Sequence, residues 1–112
     1  MKVLFVGCHC DDIELGCGGI IHKFSKEWEI DCLTLSSEPY FAVYDDKDEK
    51  SLEGLRESSE KAMSILGVEN TSYMSIPTGS FSEHRQEIWR TLNSHSGYDL
   101  VFTQFGDTHQ DH

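Results

Sequence analysis

The chain has 112 residues, 38% apolar and 26% charged, which excludes collagen-like, fibrous and fully disordered chains and leaves room for one small globular domain. Acidic residues outnumber basic ones 20 to 9, for a formal charge of −11, so phosphate backbones and anionic lipid are disfavoured and no nucleic-acid partner is expected. The longest apolar run, Val3 to Val6, is far short of the ~20 residues of a membrane span. The basic start and cleavage site of a signal peptide are also missing, which makes a cytoplasmic location the default expectation.

In chain order, Lys2 to Cys8 (KVLFVGC) is a short apolar run and reads as a buried strand. Gly16 to Trp28 carries Ile20, Ile21, Phe24 and Trp28 at helical spacing and reads as the first helix. Glu29 to Ser36 (EIDCLTLS) is the second strand. Glu38 to Lys50 mixes Tyr40, Phe41 and Tyr44 with the acidic run Asp45 to Glu49 and reads as a loop whose aromatics form either a lid or a local anchor. Ser51 to Leu66 places Leu52, Leu55, Ala62, Ile65 and Leu66 on one face of a second helix, with Gly67 as its C-cap. Thr71 to Ile76 is a third strand, stopped by Pro77. Ser80 to Asn93 is a third helix with Ile88, Trp89 and Leu92 inward, and Tyr98 to Phe105 (YDLVFTQF) is the fourth strand.

Apolar strands alternating with helices predict a Rossmann-like, three-layer α/β sandwich: a parallel sheet with helices on both faces and right-handed crossovers. The doubly wound strand order 3-2-1-4 sets strands one and four side by side. Ligands of such sheets bind beyond the carboxyl ends of the strands where the winding reverses, which is between those two.

Two polar clusters fall at that point. His9-Cys10-Asp11-Asp12 follows strand one, and Asp107-Thr108-His109-Gln110-Asp111-His112 follows strand four. Two imidazoles and a carboxylate with one open position are the ligand set of a catalytic zinc site, and oxygen-only metals would not call for the histidines. The candidate ligands are His9, Asp12 and His112, for one zinc per chain. Asp11 is placed to take a proton from an activated water. His109, beside Asp111, suits an imidazolium held by that carboxylate and stabilising a tetrahedral oxyanion. A magnesium-holding receiver-type domain is the competing reading of the Asp11-Asp12 pair. It needs an acidic acceptor after strand three, where Ser75-Ile76-Pro77-Thr78 offers none.

The four cysteines, Cys8, Cys10, Cys17 and Cys32, lack the paired spacing of a structural zinc site. With no secretory signal they read as reduced, mostly buried thiols.

Val6-Gly7-Cys8-His9-Cys10-Asp11-Asp12-Ile13-Glu14-Leu15-Gly16-Cys17-Gly18-Gly19 resembles the HPDD-type signature that opens the PIG-L/LmbE-like zinc de-N-acetylases. Arg56-Glu57 through Ala62 and Leu66-Gly67-Val68 resemble that family's second-helix pattern, and His109-Gln110-Asp111-His112 resembles its HxDH signature. The resemblance spans essentially the whole chain. It implies hydrolysis of an N-acetyl group from an amino sugar or its conjugate, a small-molecule substrate. It also implies zinc ligation by His9, Asp12 and His112, a general base at Asp11, and an oxyanion or leaving-group role for His109 oriented by Asp111. A substrate contact is implied at Arg56, whose other reading is an ion pair with Glu53 or Glu60.

The chain departs from the family pattern in three ways. Cys10 replaces the usual proline, which removes a fixed φ and sets an oxidation-sensitive thiol beside the ligands. Ile13 stands where an acidic residue is frequent. Family members are also substantially longer, so residues 1–112 are expected to be one incomplete domain, completed by a C-terminal segment or a second copy. A metal-binding module without turnover is the second function reading. Gly16, Gly18 and Gly19 are expected to open the first helix, either packing it tightly or offering free N–H groups to an anion. Trp28 and Trp89 are expected in the core, and His22, His84 and His95 as ordinary surface or packing residues.

Overall fold

The computed structural model describes residues 1–37 and 49–112, with side chains omitted for 49–53. Strand β1 spans Lys2–His9, helix α1 Asp12–Phe24, β2 Glu29–Ser36 and α2 Glu49–Leu66. Strand β3 spans Asn70–Tyr73, and a 3-10 turn at Phe81–His84 leads into α3, Arg85–Ser94, which precedes β4, Leu100–Phe102. The strands are parallel and ordered β3-β2-β1-β4, the predicted doubly wound arrangement. The expected lid residues Tyr40, Phe41 and Tyr44 lie outside the described residues. No helix among those described is long and apolar enough to cross a membrane.

Strand β1 is central and buried on both faces because its side chains alternate between two cores. Val3 and Phe5 join Ile13 and Ile21 of α1, Ile30 and Cys32 of β2, and Met63 of α2. Leu4, Val6 and Cys8 join Leu33, Leu35, Ile76 and Phe81 on the other face, where Ile88 of α3 packs. Phe5 and Ile21 are fully buried, and each such side chain contributes about 1.5–3 kcal/mol.

Helix α2 ends as its sequence predicts. The Gly67 N–H bonds to the Ser64 carbonyl and the Val68 N–H to the Met63 carbonyl, while Gly67 takes φ +93°. This is a Schellman closure, and Met63 and Val68 lie in one core cluster beneath it. Gly7 serves a different need: a Cβ there would stand 2.8 Å from Ile13 Cγ1. Its absence lets β1 pass close under the first turn of α1.

Several boundaries differ from expectation. Helix α1 begins at Asp12, four residues before the expected Gly16, so the three glycines lie within it and offer no free N–H groups. A methyl at Gly16 or Gly19 would meet nothing within 4 Å, so tight packing does not explain those two either. Strands β3 and β4 are shorter than predicted. Trp89, expected in the core, is 60% exposed, and α3 has no fully buried residue. The sheet ends at β4, so nothing described lies beyond it to cover the outer face of α3.

Candidate metal centre

The carboxyl end of β1 and the start of α1 carry the first half of the site. His9 closes β1, and Asp11 caps α1 at φ +148° without a side-chain capping bond. A non-glycine residue at that φ is strained by about 1–3 kcal/mol, and strain of this kind concentrates at functional sites. The turn aims Asp12 back so that its Oδ2 accepts the His9 backbone N–H at 2.9 Å. The chain after β4 supplies His109, Asp111 and His112 to the same place, between β1 and β4 as the topology requires.

Three atoms converge. His9 Nδ1 lies 3.6 Å from Asp12 Oδ2, Asp12 Oδ2 lies 3.5 Å from His112 Nε2, and His112 Nε2 lies 3.4 Å from His9 Nδ1. A tetrahedral zinc with bonds of about 2.0–2.2 Å spaces its ligands about 3.3–3.6 Å apart. The other nitrogen of each ring is already engaged by a carboxylate: His9 Nε2 with Asp111 Oδ2 at 2.8 Å, and His112 Nδ1 with Asp107 Oδ2 at 2.7 Å. Those acceptors fix the tautomers of the neutral rings, in which two imidazole lone pairs and a carboxylate oxygen face one point. Such a donor set fits a cation.

Cys8 Sγ lies within 4.8 Å of Asp12 and His112 ligand atoms, and His9, His109 and Asp111 form a second such group. Neither is the better set. Burial, followed by the charges of Asp12, Asp111 and Asp107, pushes the Cys8 thiol up to about 12, and it donates to the Asp111 carbonyl at 3.3 Å. In the second group, His9 and Asp111 use their facing atoms on each other.

Electrostatics follow from this packing. Burial would raise the Asp12 carboxyl, but the His9 ring and backbone N–H and the nearby His112 outweigh it, and the pKa falls below the usual carboxylate range. The His9 imidazole is raised by Asp12, against the effect of burial, with help from Asp111. Asp11 is raised by burial and then by the charge of Asp12. Asp107 is lowered by its bond to His112 and by the His109 N–H.

The expected Asp111–His109 pair is present at long range, and Asp111 has closer partners. Asp111 Oδ2 lies 3.9 Å from His109 Nδ1 and makes its shorter bonds to His9 Nε2 and the Gly79 N–H, both at 2.8 Å. His109 Nδ1 accepts the Asp111 backbone N–H at 3.1 Å, so the neutral ring carries its proton on Nε2. Its ring stands 4.7 Å from both the His9 and the His112 rings. Arg56 makes no ion pair with Glu60, and the Glu53 side chain lies outside the described residues; the Arg56 Nη2 donates to Ser37 Oγ at 2.8 Å, and its guanidinium lies 5.4 Å from the Tyr73 ring centre. Cys10 is not an activated thiol, since burial and then the Glu14 charge push it to about 11. The Asp107 and Gly79 contacts were not read from the sequence; the D-T-H-Q-D-H spacing was the available signal for the first.

An open groove of about 900 Å³ borders His112 and Asp111 and runs along Phe81, Gln86 and Trp89. Fold and site together define a Rossmann-like α/β protein with a His/Asp/His centre at its switch point. The PIG-L family, described as GlcNAc-PI de-N-acetylase, matches residues 4–112, and the chain belongs to it. Among solved structures, it is similar to an N,N'-diacetylchitobiose deacetylase from Pyrococcus horikoshii (TM-score 0.75, 23% identity, 99% of this chain and 45% of that one). It is also similar to the conserved protein TT1542 from Thermus thermophilus (TM-score 0.70, 25% identity, 98% and 49%). A third is GalB, the 4-carboxy-2-hydroxymuconate hydratase from Pseudomonas putida (TM-score 0.67, 18% identity, 99% and 50%). The chain thus spans about half the length of the structures it matches.

Proposed function

We propose that the chain carries the centre of a zinc-dependent hydrolase that removes an N-acetyl group from a small amino sugar or glycoconjugate. The observation that carries this reading is the convergence of His9 Nδ1, Asp12 Oδ2 and His112 Nε2 within 3.4–3.6 Å of one another. Membership of a de-N-acetylase family supports it. These three residues would hold one zinc ion, which supplies Lewis acidity and lowers the pKa of a water toward neutrality.

The chain's own residues divide the remaining work. Asp11 takes the proton of the attacking water and returns it to the departing amine. The His109 Nε2–H, its orientation set by the Asp111 backbone, donates to the oxygen that gains charge as the acetamide carbonyl becomes tetrahedral. Asp111 holds His9 in the ligating tautomer. Arg56, held by Ser37 and flanked by Tyr73, contacts the sugar.

The test is acetate release from N-acetylglucosamine, its oligomers and glycoconjugates by the zinc-loaded protein and by Asp11→Asn. Hydrolysis by the former alone, with zinc retained in both, is the expected result. Zinc binding with no hydrolysis of any N-acetylated sugar would overturn it in favour of a metal-binding module.

A further inference from the structure

The Asp107 carboxylate makes two bonds that use different oxygens. Oδ2 accepts the proton on His112 Nδ1 at 2.7 Å, and Oδ1 accepts the His109 backbone N–H at 2.7 Å. Gln104 Nε2 also lies 3.4 Å from His112 Nδ1. An amide N–H and a ring N–H cannot donate to each other, so the much closer carboxylate is the ring's partner.

We propose that Asp107 is a positioning residue for the metal centre: it keeps the His112 proton on Nδ1, so that Nε2 presents a lone pair beside His9 and Asp12, and it anchors the His109 backbone. The inference rests on the zinc-hydrolase reading and extends it to a residue that touches neither metal nor substrate. It makes the two ligating imidazoles alike, each carrying a carboxylate on its far nitrogen, Asp111 behind His9 and Asp107 behind His112. Carboxylates behind ligating histidines are worth about 10–100-fold in metal affinity. Asp107 is 51% exposed, so the lower end of that range applies here.

Asparagine separates this role from mere loop anchoring. Its single oxygen can replace Oδ1 and keep the His109 N–H, but its NH2 group then faces His112 Nδ1. The ring must accept there, and its proton moves to Nε2, the atom aimed at the ion. The experiment measures zinc affinity by chelator competition for the full chain and for Asp107→Asn. It is paired with 15N NMR of the histidine rings in the presence of chelator.

Asp107→Asn is expected to weaken zinc binding about ten-fold and move the His112 proton from Nδ1 to Nε2. The His9 proton should stay on Nε2, where Asp111 holds it. Unchanged affinity and tautomer in Asp107→Asn would overturn the positioning role while leaving the metal centre intact. Weaker zinc binding with the His112 proton still on Nδ1 would also overturn it, because Asp107 would then act by another route. Failure of the unsubstituted protein to bind zinc would overturn the hydrolase reading itself, and this inference with it.

Discussion

Asp111 offers the sharpest energetic test of how the site is built. Its side chain is 1% exposed, and its Oδ2 takes both the His9 Nε2–H and the Gly79 N–H at 2.8 Å. Its Oδ1 is buried without a hydrogen-bond partner among the described residues. Alanine would leave two donors without an acceptor at roughly 1–3 kcal/mol each, partly offset by removing the unpartnered oxygen, for an expected loss of about 2–4 kcal/mol. Asparagine would keep one acceptor and set its amide nitrogen where Oδ1 now stands, for a smaller loss of about 1–2 kcal/mol. Urea unfolding with chelator present isolates this protein-only cost from metal linkage. Asp111→Ala should also weaken zinc binding about 10–100-fold, because the His9 tautomer is no longer held. If Asp111→Ala stayed within about 0.5 kcal/mol of the parent, the range of an ordinary surface change, the Asp111–His9–Gly79 arrangement would be refuted.

Further consequences can be measured independently. Asp11→Gly should stabilise the chain by about 1 kcal/mol, since relief of about 1–3 kcal/mol of strain at φ +148° exceeds the entropy cost of glycine, while hydrolysis is lost; thermal melting and an acetate assay read the two effects. Gly7→Ala should destabilise by about 1–3 kcal/mol in urea, because its Cβ meets Ile13 Cγ1 at 2.8 Å, whereas Gly19→Ala, with nothing within 4 Å, should stabilise by about 0.5–1 kcal/mol. Burial, then the charges of Glu14 and Asp31, hold the Cys32 thiol protonated up to about 12, while in the unfolded chain it ionises near about 8.5. Its contribution is therefore fully present below about pH 8.5 and is lost as pH rises toward 12, so Cys32→Ala should flatten the alkaline fall in urea midpoint. With Cys10 pushed to about 11, only roughly one part in 10,000 is thiolate at pH 7, and its alkylation should be correspondingly slow.

The layout of the sheet was legible because β1 and β2 are apolar runs that only burial on both faces can accommodate, and their alternation with helices leaves few topologies. That topology alone brought the HCDD and HQDH segments to one crevice. Local detail was less legible. The start of α1 was misplaced because the glycines looked like a helix opening, whereas the helix begins on Asp12, whose side chain turns back to the His9 N–H. Trp89 has the spacing of a buried helix face, but whether that face is covered depends on what lies beyond β4, which periodicity does not encode. The carboxylate pairings also escaped the sequence reading. Asp111 is near His109 in the chain, yet its carboxylate is drawn to His9 and Gly79 by contacts between distant segments.

The central claim is that His9, Asp12 and His112 bind one metal ion together. Elemental analysis of zinc per chain, on the parent protein and on His9→Ala, Asp12→Ala and His112→Ala after equal dialysis, tests it most directly. The account predicts about one zinc per parent chain and its loss in each of the three variants, because removing any corner leaves only two protein ligands. Zinc retained at full stoichiometry in any one of them, or no zinc in the parent, would contradict it.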